Sequence, residues 1–154
     1  MHVLNRIGTT LLLSGLAWGG MAVAAERVPS AAECFTSAFK AGNADAVAAC
    51  YAEDAVMWFP GGAMAKGHTA IRDGYAGYLA TVTVKGVALT AMGQETVGKA
   101  RVSWGTYAIR VVNKATGAES VEQGRYTDVS KRIGGRWLYI VDHPSDDPPA
   151  AVAK

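Results

Sequence analysis

The chain has 154 residues, enough for one domain with a real core and too few for two. Its 15 Lys+Arg face 13 Asp+Glu, and beyond residue 25 the balance is 14 against 13, because Arg6 is the only cation before Glu26. So even a balance supplies no basic field to attract nucleic acid or an anionic membrane, and neither is expected as a partner.

Arg6 and the amino terminus precede an uncharged stretch from Ile7 to Ala25 that closes on the small residues Ala22-Val23-Ala24-Ala25. This reads as a signal peptide over residues 1–25, cleaved after Ala24 or Ala25. An uncleaved anchor is the rival reading, since the apolar stretch is near the lower limit for a span. Its glycines and its cleavage-like end argue against that. A periplasmic or secreted protein follows, with no membrane contact once the signal is removed. Residues 26–145 are then the folded domain and 146–154 a flexible tail.

"SAAECFTSAFKAG" and "NADAVAACYAED" read as two helices joined near Gly42-Asn43. Ser30 and Glu33 form a capping box for the first, and Gly42 suits its C-terminal stop. Asn43 or Asp45 caps the second, whose buried face includes Val47 and Tyr51. Cys34 and Cys50 lie equally far from that turn, so antiparallel helices would bring them together. An even cysteine count in an exported chain favours a disulfide; two buried thiols are the alternative.

"VMWFP" then reads as a short strand ended by Pro60, "GGAMAKG" as a loop, and "HTAIRDGYAGYLA" as a third helix capped by Thr69. From residue 82 onward β-branched and aromatic residues dominate. "VTVKGVALTAMG", "ARVSWGTYAIRVVN", "ESVEQGRYTDVSKRI" and "RWLYIVDH" are strands separated by turn-like segments. Helices first and a meander afterwards indicate an α+β fold, with helices packed on one face of an antiparallel sheet.

Three segments carry a resemblance. "AGNADAVAACYAEDAV", "GHTAIRDGY" and "GGRWLYIVDH" resemble the nuclear transport factor 2-like superfamily, nearest its SnoaL-like and ketosteroid-isomerase-like branches, over about residues 31–145. The resemblance implies a cone: a curved antiparallel sheet wrapped around the helices, with a pocket open at one end. It also implies homodimerisation through the outer sheet face.

Steroid isomerases of this superfamily need a tyrosine, a carboxylate base and a protonated acid. Carried over, those positions fall on Phe35, Phe59 and Thr127. A phenylalanine can neither hydrogen-bond an enolate nor take a proton from carbon, so that catalytic set is not retained. Dehydratase-like members use a His–Asp arrangement, which directs attention to Asp142 and His143. Resemblance to the calcium/calmodulin-dependent kinase association domain implies Arg110 as a carboxylate ligand, with Arg125 as a second candidate.

Period-2 alternation sorts the strand residues. Arg125, Thr127 and Val129 share one face; Tyr126, Asp128 and Ser130 share the other. Leu138, Ile140 and Asp142 share a face, opposite Trp137, Tyr139, Val141 and His143. Asp142 and His143 are therefore not a ready dyad. Asp142 is expected to face the pocket, and His143 to close the strand. His68 is expected to be solvated at the third helix's start, and Arg101, Lys114, Lys131 and Arg132 to lie on the outer face.

Trp58, Phe59 and Tyr75 complete the expected ligand-binding set with Arg110, Arg125, Thr127 and Asp142. No metal-ligand spacing, phosphate loop or nucleophile elbow is present in the sequence, so no metal or cofactor is expected. The expected function is binding of a small, partly apolar molecule, with or without a carboxylate, in the cone pocket. Two rivals remain: a lyase, isomerase or hydrolase using Asp142 or His143 as acid–base, and an interaction module with a vestigial pocket. An exposed Asp142 would remove the enzyme reading's best residue; a pocket filled by side chains would favour the third.

Overall fold

The computed structural model describes residues 27–147. The expected signal peptide lies outside the described residues, as does the tail from residue 148.

The first helix, α1 (Ala31–Lys40), begins with the expected capping box: the Glu33 N–H donates to Ser30 Oγ, and the Ser30 N–H to Glu33 Oε2 at 2.8 Å. Arg27 forks onto the same carboxylate at 2.9 and 2.6 Å. These bonds, with Arg27 the largest contributor, hold the Glu33 carboxyl down at about 2. Ala31, Phe35, Ala38 and Phe39 form the buried face. Gly42 then takes φ +67°, the left-handed stop that a side chain resists.

Asn43 caps α2 (Ala44–Ala48), accepting from the Ala46 N–H at 2.9 Å. This helix is shorter than the sequence pattern suggests, because Tyr51 already belongs to β1 (Tyr51–Trp58). Sheet pairing overrides helical periodicity here: the Tyr139 N–H donates to Cys50 O at 3.0 Å, and Tyr51 pairs with Tyr139. Cys34 and Cys50 are disulfide-bonded with Cα atoms 5.7 Å apart, which staples α1 to the start of β1.

"GGAMAKG" is not wholly loop, since β2 (Met64–Lys66) pairs antiparallel with β1. The third helix, α3 (Gly67–Thr81), starts before the expected Thr69 cap and has no side-chain cap. His68 is not free in solvent. Its Nε2 lies 2.6 Å from the Tyr51 carbonyl, joining the first turn of α3 to β1. Ile71, Tyr75 and Leu79 form the buried stripe of α3 at four-residue spacing.

Four long strands follow: β3 (Val82–Val97), β4 (Ala100–Asn113), β5 (Glu119–Ile133) and β6 (Arg136–Asp146). The sheet has six strands in the order β2-β1-β6-β5-β4-β3. It is mixed rather than purely antiparallel, because β1 runs parallel to β6. Register shifts after Val84, Ala91 and Val129 bend it. The curved sheet stays unclosed and wraps α1 and α3, whose apolar faces meet it in one core with Tyr51, Met57, Val111 and Tyr139.

Two inward glycines shape the concave side. Gly105 lies opposite Tyr126 and Gly124 opposite Tyr107. A Cβ on Gly105 would stand 2.8 Å from the Tyr126 hydroxyl, and one on Gly124 2.8 Å from that of Tyr107. Each also meets a neighbouring backbone carbonyl at 2.1 Å. Only glycine leaves room for the phenols to lie against the sheet.

The disulfide closes a loop with a sequence separation of 16. Replacing both cysteines by alanine is expected to cost about 3 kcal/mol by loop entropy. Urea unfolding of the oxidised wild type and the double variant measures that difference as a shift in midpoint at constant slope.

Candidate functional site: a cavity floored by two carboxyls

A cavity of about 630 Å³ lies between the helices and the concave sheet face. Its walls are largely aromatic: Phe35 and Phe39 from α1, Tyr75 and Tyr78 from α3, Phe59 after β1, and Tyr107, Tyr126 and Tyr139 from the sheet. The rings support one another. Phe59 meets Tyr75 edge-on at 5.2 Å, and Phe35 stacks on Phe39 at 5.1 Å. Gly74 makes space for Phe59, since a Cβ there would fall 2.4 Å from its ring.

Asp128 and Asp142 line this cavity directly opposite each other on β5 and β6, 4% and 8% exposed. Burial raises both carboxyls, because a low-dielectric site penalises the charged form. It pushes Asp142 up to about 6, against the pull of the Tyr51 hydrogen bond and of His143. It pushes Asp128 up to about 7, with the Asp142 charge adding to the effect and Ser103 on β4 opposing it. Two like charges this close do not ionise independently; the pair holds a proton near neutrality.

Asp142 is the member supplied with a donor. Tyr51 Oη donates to Asp142 Oδ2 at 2.6 Å, and Tyr75 Oη lies 3.1 Å from Tyr51 Oη. Since the Tyr51 proton goes to Asp142, the second bond has Tyr75 donating to Tyr51. Both phenols are fully buried and are held protonated, by burial first and by the Asp142 charge next. At the wider end, Tyr78 donates to Glu122 at 2.6 Å and Tyr107 to Asp146 at 2.7 Å. β6 therefore continues as working strand through Asp146, into the stretch expected to be tail.

Of the residues singled out in the sequence, the structure brings together Asp142, Tyr75 and Phe59. It separates the others from the cavity. Thr127 is exposed on the convex face, opposite His143, so the alignment that placed an acid role there points one residue away from Asp128. His143 is exposed and packs its ring 5.5 Å from Trp58, itself 37% exposed on that face. Arg110 is exposed on the convex face of β4, beside Gly86. Arg125 is exposed and pairs with Asp147 at 3.3 Å. Neither arginine lines the cavity, which removes the basis for a carboxylate ligand. Arg101, expected outside, lies over the Trp137 ring at 4.2 Å, and Lys114 donates to Leu79 O at 2.6 Å.

Asp128, Tyr51, Tyr126 and Tyr139 are the site residues that the sequence reading missed. Alternation had already grouped Asp128 with Tyr126 and Ser130; only the choice of inner face was wrong. Tyr139 is different. Ser130 pairs with Tyr139 and Val129 with Val141, so Ile140 is an extra, bulged residue. The bulge returns Tyr139 to the same face as Asp142, which strict alternation forbids.

A curved, unclosed sheet wrapped on N-terminal helices with an interior cavity is the nuclear transport factor 2-like α+β cone. Residues 32–140 match the SnoaL-like domain, and the chain belongs to that family. Among solved structures it is similar to a ketosteroid isomerase-like protein from Erwinia carotovora atroseptica, at 23% identity, covering 77% of this chain and 92% of that one, TM-score 0.69. A nuclear transport factor 2-like superfamily protein from Salmonella enterica serovar Typhimurium is similar at 14% identity, covering 80% and 91%, TM-score 0.67. A protein designated a calcium/calmodulin dependent protein kinase II association domain, from Xanthomonas campestris, shares 24% identity over 77% and 84%, TM-score 0.63. At these identities the likeness is one of fold. No curated protein matches the chain.

The raised carboxyls set a pH dependence. Asp128 has a folded value of about 7 against 3.8 for the free side chain, so between those values the native state binds more protons than the unfolded one. Stability is therefore greatest near pH 4 and falls as pH rises through 7, by roughly 2–4 kcal/mol. Denaturant unfolding across this range is expected to show that slope, and Asp128→Asn to flatten it. Tyr51→Phe removes the donor that lowers Asp142, so the Asp142 titration is expected to move further up, with about 1–3 kcal/mol lost. Carboxyl-carbon NMR and urea unfolding measure the two effects.

Proposed function

We propose that this protein binds a small, partly apolar molecule in the cone cavity and moves protons to and from it, with Asp142 as base and Asp128 as acid. The observation that carries the reading is the pair of buried carboxyls facing each other on the cavity floor, one with a phenol donor and one without. Proton transfer near neutral pH is most effective from groups whose pKa lies near that pH, and burial moves both carboxyls into this range. Environments that separate two carboxyls also assign their roles. Asp142, stabilised as an anion by Tyr51, takes a proton from the bound molecule. Asp128, which keeps its proton longer, donates to an oxygen on which negative charge develops.

Isomerisation and elimination both fit this pattern. The groups differ from the steroid-isomerase set, whose tyrosine and base positions hold Phe35 and Phe59, both lining the cavity as apolar wall. The disulfide supports assembly in an oxidising compartment, periplasmic or extracellular, as the N-terminal sequence suggests. Homodimerisation through the convex sheet face belongs to the same reading, supported by the exposed Trp104 and Trp58 there.

Site-resolved NMR of aspartate carboxyl carbons tests the acid–base role. Asp142 is expected to titrate near 6 and Asp128 near 7. Asp142→Asn should lower the Asp128 value, because it removes the neighbouring charge. Ordinary titration of both groups near pH 4 would leave a binding pocket without proton chemistry.

A further inference from the structure

The cavity's charge says more about its occupant than its volume does. Among the described residues, five of those lining it are carboxylates, namely Asp128 and Asp142 on the floor and Glu122, Asp146 and Asp147 toward the opening, and no lining residue is Lys, Arg or His. Arg125 is exposed outside the cavity and pairs with Asp147. Glu122 and Asp146 each accept a hydrogen bond from a phenol, Tyr78 and Tyr107, which fixes these carboxylates at the wall. Even with one proton on the floor pair, the lining is strongly negative.

A second observation is independent of those acids. Tyr139 and Tyr126 are 3% and 9% exposed and line the cavity. Among the described residues, neither hydroxyl has a hydrogen-bond partner, unlike those of Tyr51, Tyr75, Tyr78 and Tyr107. Both phenols line the cavity with their hydroxyls free of protein partners, so a polar group of the occupant can complete them.

We infer that the cavity takes an organic cation: an apolar skeleton bearing an amine or quaternary ammonium, with its charged head among the phenol rings and carboxylates. The inference rests on the reading of this cavity as a small-molecule site. Aromatic faces attract a cation through their quadrupole, and the attraction grows as water is excluded. Carboxylates behind those faces add a longer-range field that the low-dielectric wall focuses. The same field repels a carboxylate ligand. An inorganic cation fits less well, because among the described residues no three His, Cys, Asp or Glu side chains converge as metal ligands.

The test is a matched series on one skeleton, measured by isothermal titration calorimetry with the full-length chain: 4-phenylbutylamine, its trimethylammonium analogue, 4-phenylbutanol and 4-phenylbutyrate. Both cations are expected to bind about tenfold or more tightly than the alcohol, and the carboxylate more weakly than the alcohol. Glu122→Gln and Asp142→Asn are each expected to weaken the cations about threefold or more relative to the alcohol. Glu122→Gln decides the matter if Asp142→Asn does not fold. Carboxylate binding as tight as cation binding overturns the inference, as does an alcohol equal to the cations or displacement of the amine by calcium. The trimethylammonium probe carries no acidic N–H, so its binding does not depend on proton transfer. Cation preference with ordinary aspartate titrations keeps this inference and removes the acid–base role; raised titrations without cation preference do the reverse.

Discussion

The hydroxyl of Tyr51 has one proton, and it gives that proton to Asp142. The rest of the site depends on this bond, because it decides which of two buried carboxyls carries the charge. Tyr51 is fixed from every side to make it. The preceding residue, Cys50, is bonded to α1 through the disulfide and accepts the Tyr139 N–H. Its own carbonyl lies against His68 at the head of α3. Its hydroxyl accepts from Tyr75 in the middle of that helix. A bond of 2.6 Å to a buried carboxylate needs such support, since a phenol free to rotate would leave the anion without its donor.

Local chemistry and fold agree closely in the N-terminal half. Caps at Ser30 and Asn43 and the left-handed Gly42 bring two helices back on themselves. That reversal places Cys34 beside Cys50. The chain then enters the sheet earlier than its helical periodicity suggests, because pairing with β6 satisfies the Cys50 carbonyl and buries the Tyr51 ring against Tyr139. Parallel pairing of β1 with β6 follows from this entry. It brings Met57 beside Asp142, so the strand that begins with the carboxylate's donor also runs alongside the carboxylate's own strand.

Much of this was legible in the sequence. The capping box, the helix-to-strand change and the meander with its turns all carry local signatures, and the quoted segments resembled one superfamily. The cavity was less legible for two physical reasons. The inner face of β5 is not marked by hydrophobicity, because it carries Glu122, Asp128 and Ser130 as well as Tyr126. A residue-by-residue carry-over from distant relatives therefore landed on Thr127, one position off. The bulge at Ile140 has no local signature, yet it alone brings Tyr139 round to the face of Asp142. Charged residues misled in the same way. Arg110 and Arg125 looked like ligand groups by analogy, while the acids that line the cavity are spread over two strands and meet only through sheet register.

Gly105 and Gly124 were described as the positions that let two phenols lie against the sheet. Their effect is that the breadth of the cavity is set by two hydrogen atoms. A methyl group at either site would meet a phenol and also a backbone carbonyl of the neighbouring strand, that of Thr90 or of Ser145, so it could not enter without parting the sheet. The breadth of the chamber and the pairing of the strands that wall it are thus held by the same two positions. A lineage could not restrict its choice of molecule there without loosening the sheet that carries the carboxyl pair.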